Sequence, residues 1–222
     1  MGGVPGRPRI VSDAELLDAA ARSISRVGPA RLTLADVAGE AGVAPATLMQ
    51  RFGTKRGLLL AFAARAAAGV QPAVRQSRAA HASALDALLD DPLGIARGIR
   101  SPEELANHLA FPQLELADPE FFEHALAQAE ATRRELRRLL EEAVATGDLR
   151  PCDTGRLAEA LQVTHNGTLA TWAVFGRGRL ADALRRQTAH VLAPYLAADP
   201  ADPARSGRAG GGRAGGDRSL LS

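Results

Sequence analysis

Between Thr33 and Lys55 the chain reads Thr-Leu-Ala-Asp-Val-Ala-Gly-Glu-Ala-Gly-Val-Ala-Pro-Ala-Thr-Leu-Met-Gln-Arg-Phe-Gly-Thr-Lys. No other stretch restricts the fold as strongly. Thr33 is a helix cap, with Leu34, Val37, Ala38 and Ala41 forming one apolar side behind it. Gly42 follows where a sharp reversal needs a left-handed residue. Pro45 suits the first turn of a new helix. Within that helix Leu48 and Phe52 lie four apart and face inward. This leaves Ala46, Thr47, Gln50 and Arg51 facing outward, while Val43 plugs the space between the two helices. Two short helices at a steep angle, the second polar on its free face, form a helix-turn-helix.

The flanks extend the pattern. Ser12 with Glu15 three residues on is a capping box. It opens a first helix with Leu16, Ala20, Ile24 and Val27 inward, ended by Gly28-Pro29. Gly53 ends the third helix, and Thr54 caps a fourth through Leu58, Leu59 and Phe62 to about Val70, where Pro72 marks its end or the start of the next. Beyond it the spacing predicts a helix over about 73–89 and a looser stretch at Asp90–Pro92. Ser101-Pro-Glu-Glu opens another helix that Pro112 ends or kinks. A long helix follows from Asp118-Pro119 to about Thr146, with Phe122, Leu126, Leu136, Leu139, Leu140 and Val144 among its apolar positions. A helix from Asp153 or Thr154 to Phe175 carries Leu157, Leu161, Leu169 and Trp172 in its stripe, and a last helix runs from Gly178 to near Leu196. Ala and Leu dominate and aromatic residues make up 4%, so the expected class is all-α.

The 222 residues divide into a flexible basic arm (1–11), a helix-turn-helix domain (12–56), a helical regulatory and dimerisation domain (57–197) and a disordered tail (198–222). The tail is rich in Gly, Pro, Arg and Asp and cannot bury enough apolar surface to order itself. Net charge is +3 over residues 1–56 and −2 over 57–197, which fits a nucleic-acid end and a body with another task. Cys152 is the only cysteine, so an intrachain disulfide is excluded and a reducing compartment is compatible. The N-terminus has no apolar signal core and no run of about 18 apolar residues occurs. The expectation is a cytoplasmic protein without a membrane partner.

No catalytic constellation is legible. His81, His108, His124, His165 and His190 make no metal-ligand spacing. Cys152 has only Arg150 as a basic neighbour, and the glycine-rich tail lacks the strand and helix of a phosphate loop. The reading is of a protein that is not an enzyme and carries no cofactor or metal.

The pattern Leu32-Thr33-Leu34-x-Asp36-Val37-Ala38-x-x-Ala41-Gly42-Val43-Ala44-x-x-Thr47-Leu48-x-x-x-Phe52-Gly53-Thr54-Lys55-x-x-Leu58 resembles the DNA-binding domain of the tetracycline-repressor (TetR) family. The resemblance is close over residues 12–60. Beyond them it rests on length and helical layout. It implies an Ω-like homodimer whose first three helices bind double-stranded DNA and whose later helices hold a small-molecule effector and the dimer interface. It further implies a transcriptional regulator, usually a repressor, that leaves its operator when the effector binds. Two positions depart from the family. Met49 stands where a phosphate-contacting tyrosine is usual, and Ala44 stands where a serine or threonine cap is common. The alternative is a helical interaction protein that keeps the helix-turn-helix only as structure.

In the regulator reading Pro45, Ala46, Thr47, Met49, Gln50 and Arg51 enter the major groove. Gln50 suits an adenine edge and Arg51 a guanine. Thr33 and Lys55 clamp phosphates, and Arg7 and Arg9 reach a minor groove or the backbone. A dimer through the helices at 153–175 and 178–196 reads an approximate inverted repeat. Leu169 and Trp172 belong either to that interface or to the monomer core. Candidate pocket residues are Phe62, His108, Phe111, Phe122, His165 and Asn166, with His81, Leu105, Leu109 and Phe121 beside them. His165-Asn166 is the sharper clue, because polar groups in an apolar helix need partners.

Overall fold

The computed structural model describes residues 11–197. The arm arginines Arg7 and Arg9 and the tail from 198 onward lie outside the described residues. The helices are α1 (Asp13–Arg31), α2 (Leu34–Ala41), α3 (Pro45–Phe52), α4 (Lys55–Ala79), α5 (Ala84–Leu89), α6 (Pro102–Ala117), α7 (Pro119–Ala145), α8 (Thr154–Phe175) and α9 (Leu180–Leu192). A short 3-10 turn, Ala193–Tyr195, follows α9. Among the described residues the sole β-pairing is one isolated bridge between Leu149 and Leu196. The chain is all-α.

The first helices begin where local chemistry says they must. Ser12 and Glu15 complete a reciprocal capping box on α1, and Thr33 and Asp36 do the same on α2. Gly28 has φ 75° and breaks the helical path inside α1. The short turn that follows it lowers Leu32 into the core, where it is 1% exposed. Gly42, at φ 68°, closes α2, and the Val43 amide donates back to the Ala38 carbonyl at 3.0 Å.

One proline reading is corrected and a second is narrowed, since Pro112 does not end its helix. Pro72 lies inside α4, which continues unbroken to Ala79. Pro112 likewise lies inside α6. A proline leaves the carbonyl four residues earlier without its helical partner. For Pro72 that carbonyl belongs to Ala68, an exposed residue that water can serve. The helix expected from residue 73 is the second half of α4, and α5 is a separate short helix capped by Ser83.

The α7 stripe is also re-registered. Phe121 is buried at 2% exposure, while Phe122 is 45% and Leu126 48% exposed. The inward line runs through Phe121, Thr132, Leu136, Leu139 and Ala143, at helical spacing. Adjacent phenylalanines point ~100° apart on a helix, and here Phe121 takes the buried direction while Phe122 turns to solvent.

Three apolar clusters hold the molecule. The first joins α1–α4 through Leu16, Ile24, Leu48 and Leu58 and also takes in Phe111 and Phe121 from the body. The second packs α4, α5, α7, α8 and α9 around Leu136, Leu140 and Leu161. The third gathers Leu105, Leu169, Trp172 and Leu184, so Leu169 and Trp172 are buried within the monomer. By length and mean hydropathy α4 is able to cross a bilayer. Arg65 near its middle instead pairs with Asp18 of α1 at 2.7 Å, and the helix packs on α1 and α7.

Candidate DNA-reading face and effector cavity

The reading face is built on α3. Leu48 is fully buried and anchors the helix, whereas Pro45, Ala46, Met49, Gln50 and Arg51 are exposed and Thr47 is half-buried. The six candidate groove residues therefore share the free side of one helix. Ala44 makes no side-chain cap bond, so the start of α3 presents amide N–H groups suited to a phosphate. Met49, 59% exposed, offers a bare thioether side chain to whatever lies opposite.

Two basic residues of this face are engaged with the protein itself. Arg51 Nη1 lies 2.5 Å from Asp13 Oδ1 at the start of α1. Lys55 Nζ donates to the Ala30 carbonyl at 2.7 Å, at the end of α1, where a cation complements the helix dipole. The Thr33 hydroxyl is held by Asp36 at 2.6 Å. That bond and the Thr33 amide keep the Asp36 carboxyl below the usual carboxylate range. Thr47 and Gln50, the other polar candidates on α3, have no side-chain partner among the described residues. The partners of Arg51 and Lys55 are not visible in sequence periodicity, because both lie on α1, outside the reader's own two helices.

Gly57 is a residue that the sequence pattern did not single out. A Cβ there would sit 2.1 Å from the Phe52 carbonyl oxygen. Only glycine lets the end of α3 lie so close on the first turn of α4. Arg56 beside it forks to Asp118 at 2.8 Å and Glu120 at 2.7 Å and sits 5.2 Å over the Phe121 ring. The corner between α6 and α7 is thereby fastened to the base of the reader.

Behind the reader is an open-mouthed cavity of about 780 Å³ bounded by α4, the loop before α6, α6, α7 and α8. His108, His165, Asn166, Leu105 and Leu109 line it. Phe62, Phe111, Phe121, Phe122 and His81 do not. Phe62 and Phe111 meet edge to face at 5.2 Å, and Phe111 and Phe121 at 6.2 Å. They are core packing between reader and body. Phe122 faces solvent. His81 is held by the Ser77 carbonyl at 2.7 Å and by Asp90 at 3.1 Å.

The two cavity histidines differ in what they touch. His108 Nε2 lies 2.5 Å from Ser25 Oγ on α1, and its neighbour Asn107 donates to the Ser25 carbonyl at 2.8 Å. Burial pushes the His108 imidazole below its ordinary pKa, with Glu104 opposing. His165 Nε2 meets Thr188 Oγ1 at 2.9 Å, and its Nδ1 has no partner. Burial lowers its pKa as well, so both rings are neutral near pH 7. Among the described residues no cluster of His, Cys, Asp and Glu is able to hold a metal.

A helix-turn-helix with a free polar face, joined by a continuous helix to a hollow helical body, defines a DNA-binding regulator of transcription. Residues 16–62 match the model of the bacterial regulatory proteins of the tetR family. That match spans α1 to the first turns of α4. No curated protein matches it significantly. Solved structures do. A TetR transcription regulator from Haloarcula marismortui ATCC 43049 shares 18% identity over 83% of this chain and 97% of its own, with a TM-score of 0.67. A transcriptional regulator from Saccharomonospora viridis, solved with choline, shares 20% over 83% and 97%, with a TM-score of 0.66. FadR of Bacillus subtilis, solved with stearoyl-CoA, shares 18% over 82% and 98%, with a TM-score of 0.59. At these identities the likeness is one of fold.

Proposed function

We propose that this regulator is a cytoplasmic repressor that binds its operator as a homodimer and is released when a small molecule enters the cavity. The observation that carries the reading is the double role of His108. Its ring lines the cavity and also bonds Ser25 of α1. A molecule that moves this ring moves a contact of the reader, and coupling of this kind is typically worth ~1–3 kcal/mol. Release requires the effector to bind better to the form whose α3 helices are misplaced for DNA. The cavity candidates His165 and Asn166 and the groove candidates Thr47, Met49, Gln50 and Arg51 keep their roles in this reading. Arg51 and Lys55 exchange their internal partners for DNA.

The dimer reading rests on α8 and α9. Val163, Gly167, Ala170 and Val174 are all exposed and are spaced four, three and four apart. They form an apolar seam of small residues that a second copy would cover. Two readers then contact half-sites ~34–36 Å apart.

The test is a mobility shift on DNA upstream of the protein's own gene and on genome-selected fragments. A specific, salt-sensitive complex that is lost in Gln50→Ala/Arg51→Ala supports the reading. Absence of any sequence-specific complex rejects it.

A further inference from the structure

We infer that the effector is an aliphatic or alicyclic molecule with an anionic, oxygen-bearing end at Arg97 and a polar atom deeper in that meets His165. This rests on the reading of the cavity as the effector site and adds the chemistry of the ligand.

The lining argues the body of the molecule. The walls are Ala66, Gly69, Val70 and Ala73 of α4, Leu105, Leu109 and Pro112 of α6, and Leu93, Ile95 and Ile99 of the loop. Among the described residues no Phe, Tyr or Trp lines the cavity, since the nearby phenylalanines are packed against one another. A flat aromatic ligand finds no ring to stack on. The volume suits a molecule of drug size, for which ~300–1,000 Å³ is usual.

The charges argue its end. Among the described residues Arg97 is the one formally charged side chain in the lining, and no Asp or Glu contributes. Its guanidinium has no carboxylate partner among the described residues. It is exposed, so it marks the mouth, where a charge keeps part of its water. A free guanidinium grips a carboxylate or phosphate in a two-pronged bond. A quaternary ammonium would need ring faces or an acid, and the cavity supplies neither. The choline-bound structure of similar fold therefore does not transfer its ligand class.

His165 argues the interior contact. The residue is 4% exposed, and the nitrogen not bonded to Thr188 is unpartnered. A buried polar atom left so is costly, and because the His165 ring forms part of the cavity wall, a ligand that shifts the ring supplies the missing partner. Depending on which way the Thr188 hydroxyl turns, Nδ1 is an N–H donor or a lone pair. A ligand hydroxyl satisfies either.

The test is calorimetry of the full chain with decanoate, decanamide, decyltrimethylammonium and 2-naphthoate. Decanoate is expected to bind about tenfold or more tighter than decanamide, as a charge-assisted bond requires, with the ammonium and the aromatic acid weaker still. Arg97→Gln, at an exposed position, should bring decanoate to within about threefold of decanamide. A terminal hydroxyl, as in 10-hydroxydecanoate, should tighten binding in the parent and not in His165→Leu. Should that variant fail to fold, Arg97→Gln still decides. The inference is overturned by no binding of any probe, by ammonium or naphthoate binding as tightly as decanoate, or by a preference that survives Arg97→Gln. A parallel mobility shift separates the two readings. Decanoate bound with the expected selectivity while DNA stays bound supports the ligand class and rejects release. Failure to bind DNA at all rejects the regulator reading and leaves calorimetry to decide the ligand.

Discussion

The ion pair between Arg51 and Asp13 makes a prediction with two opposite signs. Arg51 cannot reach a guanine while its Nη1 stays 2.5 Å from Asp13 Oδ1. The two side chains are 38% and 60% exposed, and pairs in such settings are worth ~0.2–1 kcal/mol. Asp13→Asn keeps the shape and removes this cost once per subunit. Over two subunits the gain is about 0.4–2 kcal/mol, which is roughly 2- to 30-fold tighter operator binding. Asp13 also stands in the first turn of α1, where a negative charge contributes ~0.3–1 kcal/mol. With the lost pair included, the free protein loses about 0.5–2 kcal/mol and should thus melt about 1–8 °C lower while binding DNA better. The assay is a fluorescence-anisotropy titration at fixed salt, with thermal melts in parallel. Removing one acid beside DNA also raises affinity non-specifically, so the decisive comparison is a cycle with Arg51→Ala. The gain should shrink to that general effect when Arg51 is absent. If Asp13→Asn weakens binding in folded protein, the pair orients Arg51 for DNA and the reasoning is wrong.

Gly28→Ala places a Cβ 2.9 Å from Asn107 Oδ1 at a φ of 75°. It should cost more than ~1 kcal/mol, read as a lower denaturant midpoint, and loosen α6 from α1. A Ser25→Ala/His108→Leu cycle in denaturant should return a coupling of ~0.5–1.5 kcal/mol; additive effects would deny the bond a role in docking reader to body. The histidines predict the pH response. For His108 and His165 the folded pKa lies below the unfolded one. Their contribution is fully present above the unfolded value near ~6.5 and is lost progressively as pH falls from there through the lower folded pKa. His81 runs the other way. The Ser77 carbonyl and then Asp90 raise it, so its contribution is present below that value and fades as pH rises through the folded pKa. Two buried rings should outweigh one solvent-screened ring, and the melting temperature should fall between about pH 7.5 and 5.5. The fall should be smaller in His108→Gln, and melts across that range check it.

What the sequence made legible is what short-range chemistry decides. The capping box at Ser12, the cap at Thr33, the left-handed Gly42, the bare Ala44 start and the outward face of α3 each depend on residues within a few positions. Pro72 misled because its cost depends on whether the Ala68 carbonyl reaches water, which is a property of the packed helix. Phe121 and Phe122 could not be told apart because Thr132 and Glu135 interrupt the inward side of α7 with polar residues. Phe62 and Phe111 had the chemistry of a pocket and the position of a core. The internal partners of Arg51 and Lys55, and the glycine demanded at Gly57, come from chain segments brought together by the fold.

The central claim is that α3 reads a specific operator. Competition binding at physiological salt, with selected operator DNA against the same DNA scrambled, tests it most directly. The account predicts a preference of at least ~10³ for the operator, reduced about tenfold or more in Gln50→Ala/Arg51→Ala. Equal affinity for the two DNAs, or a preference untouched by those substitutions, would contradict it.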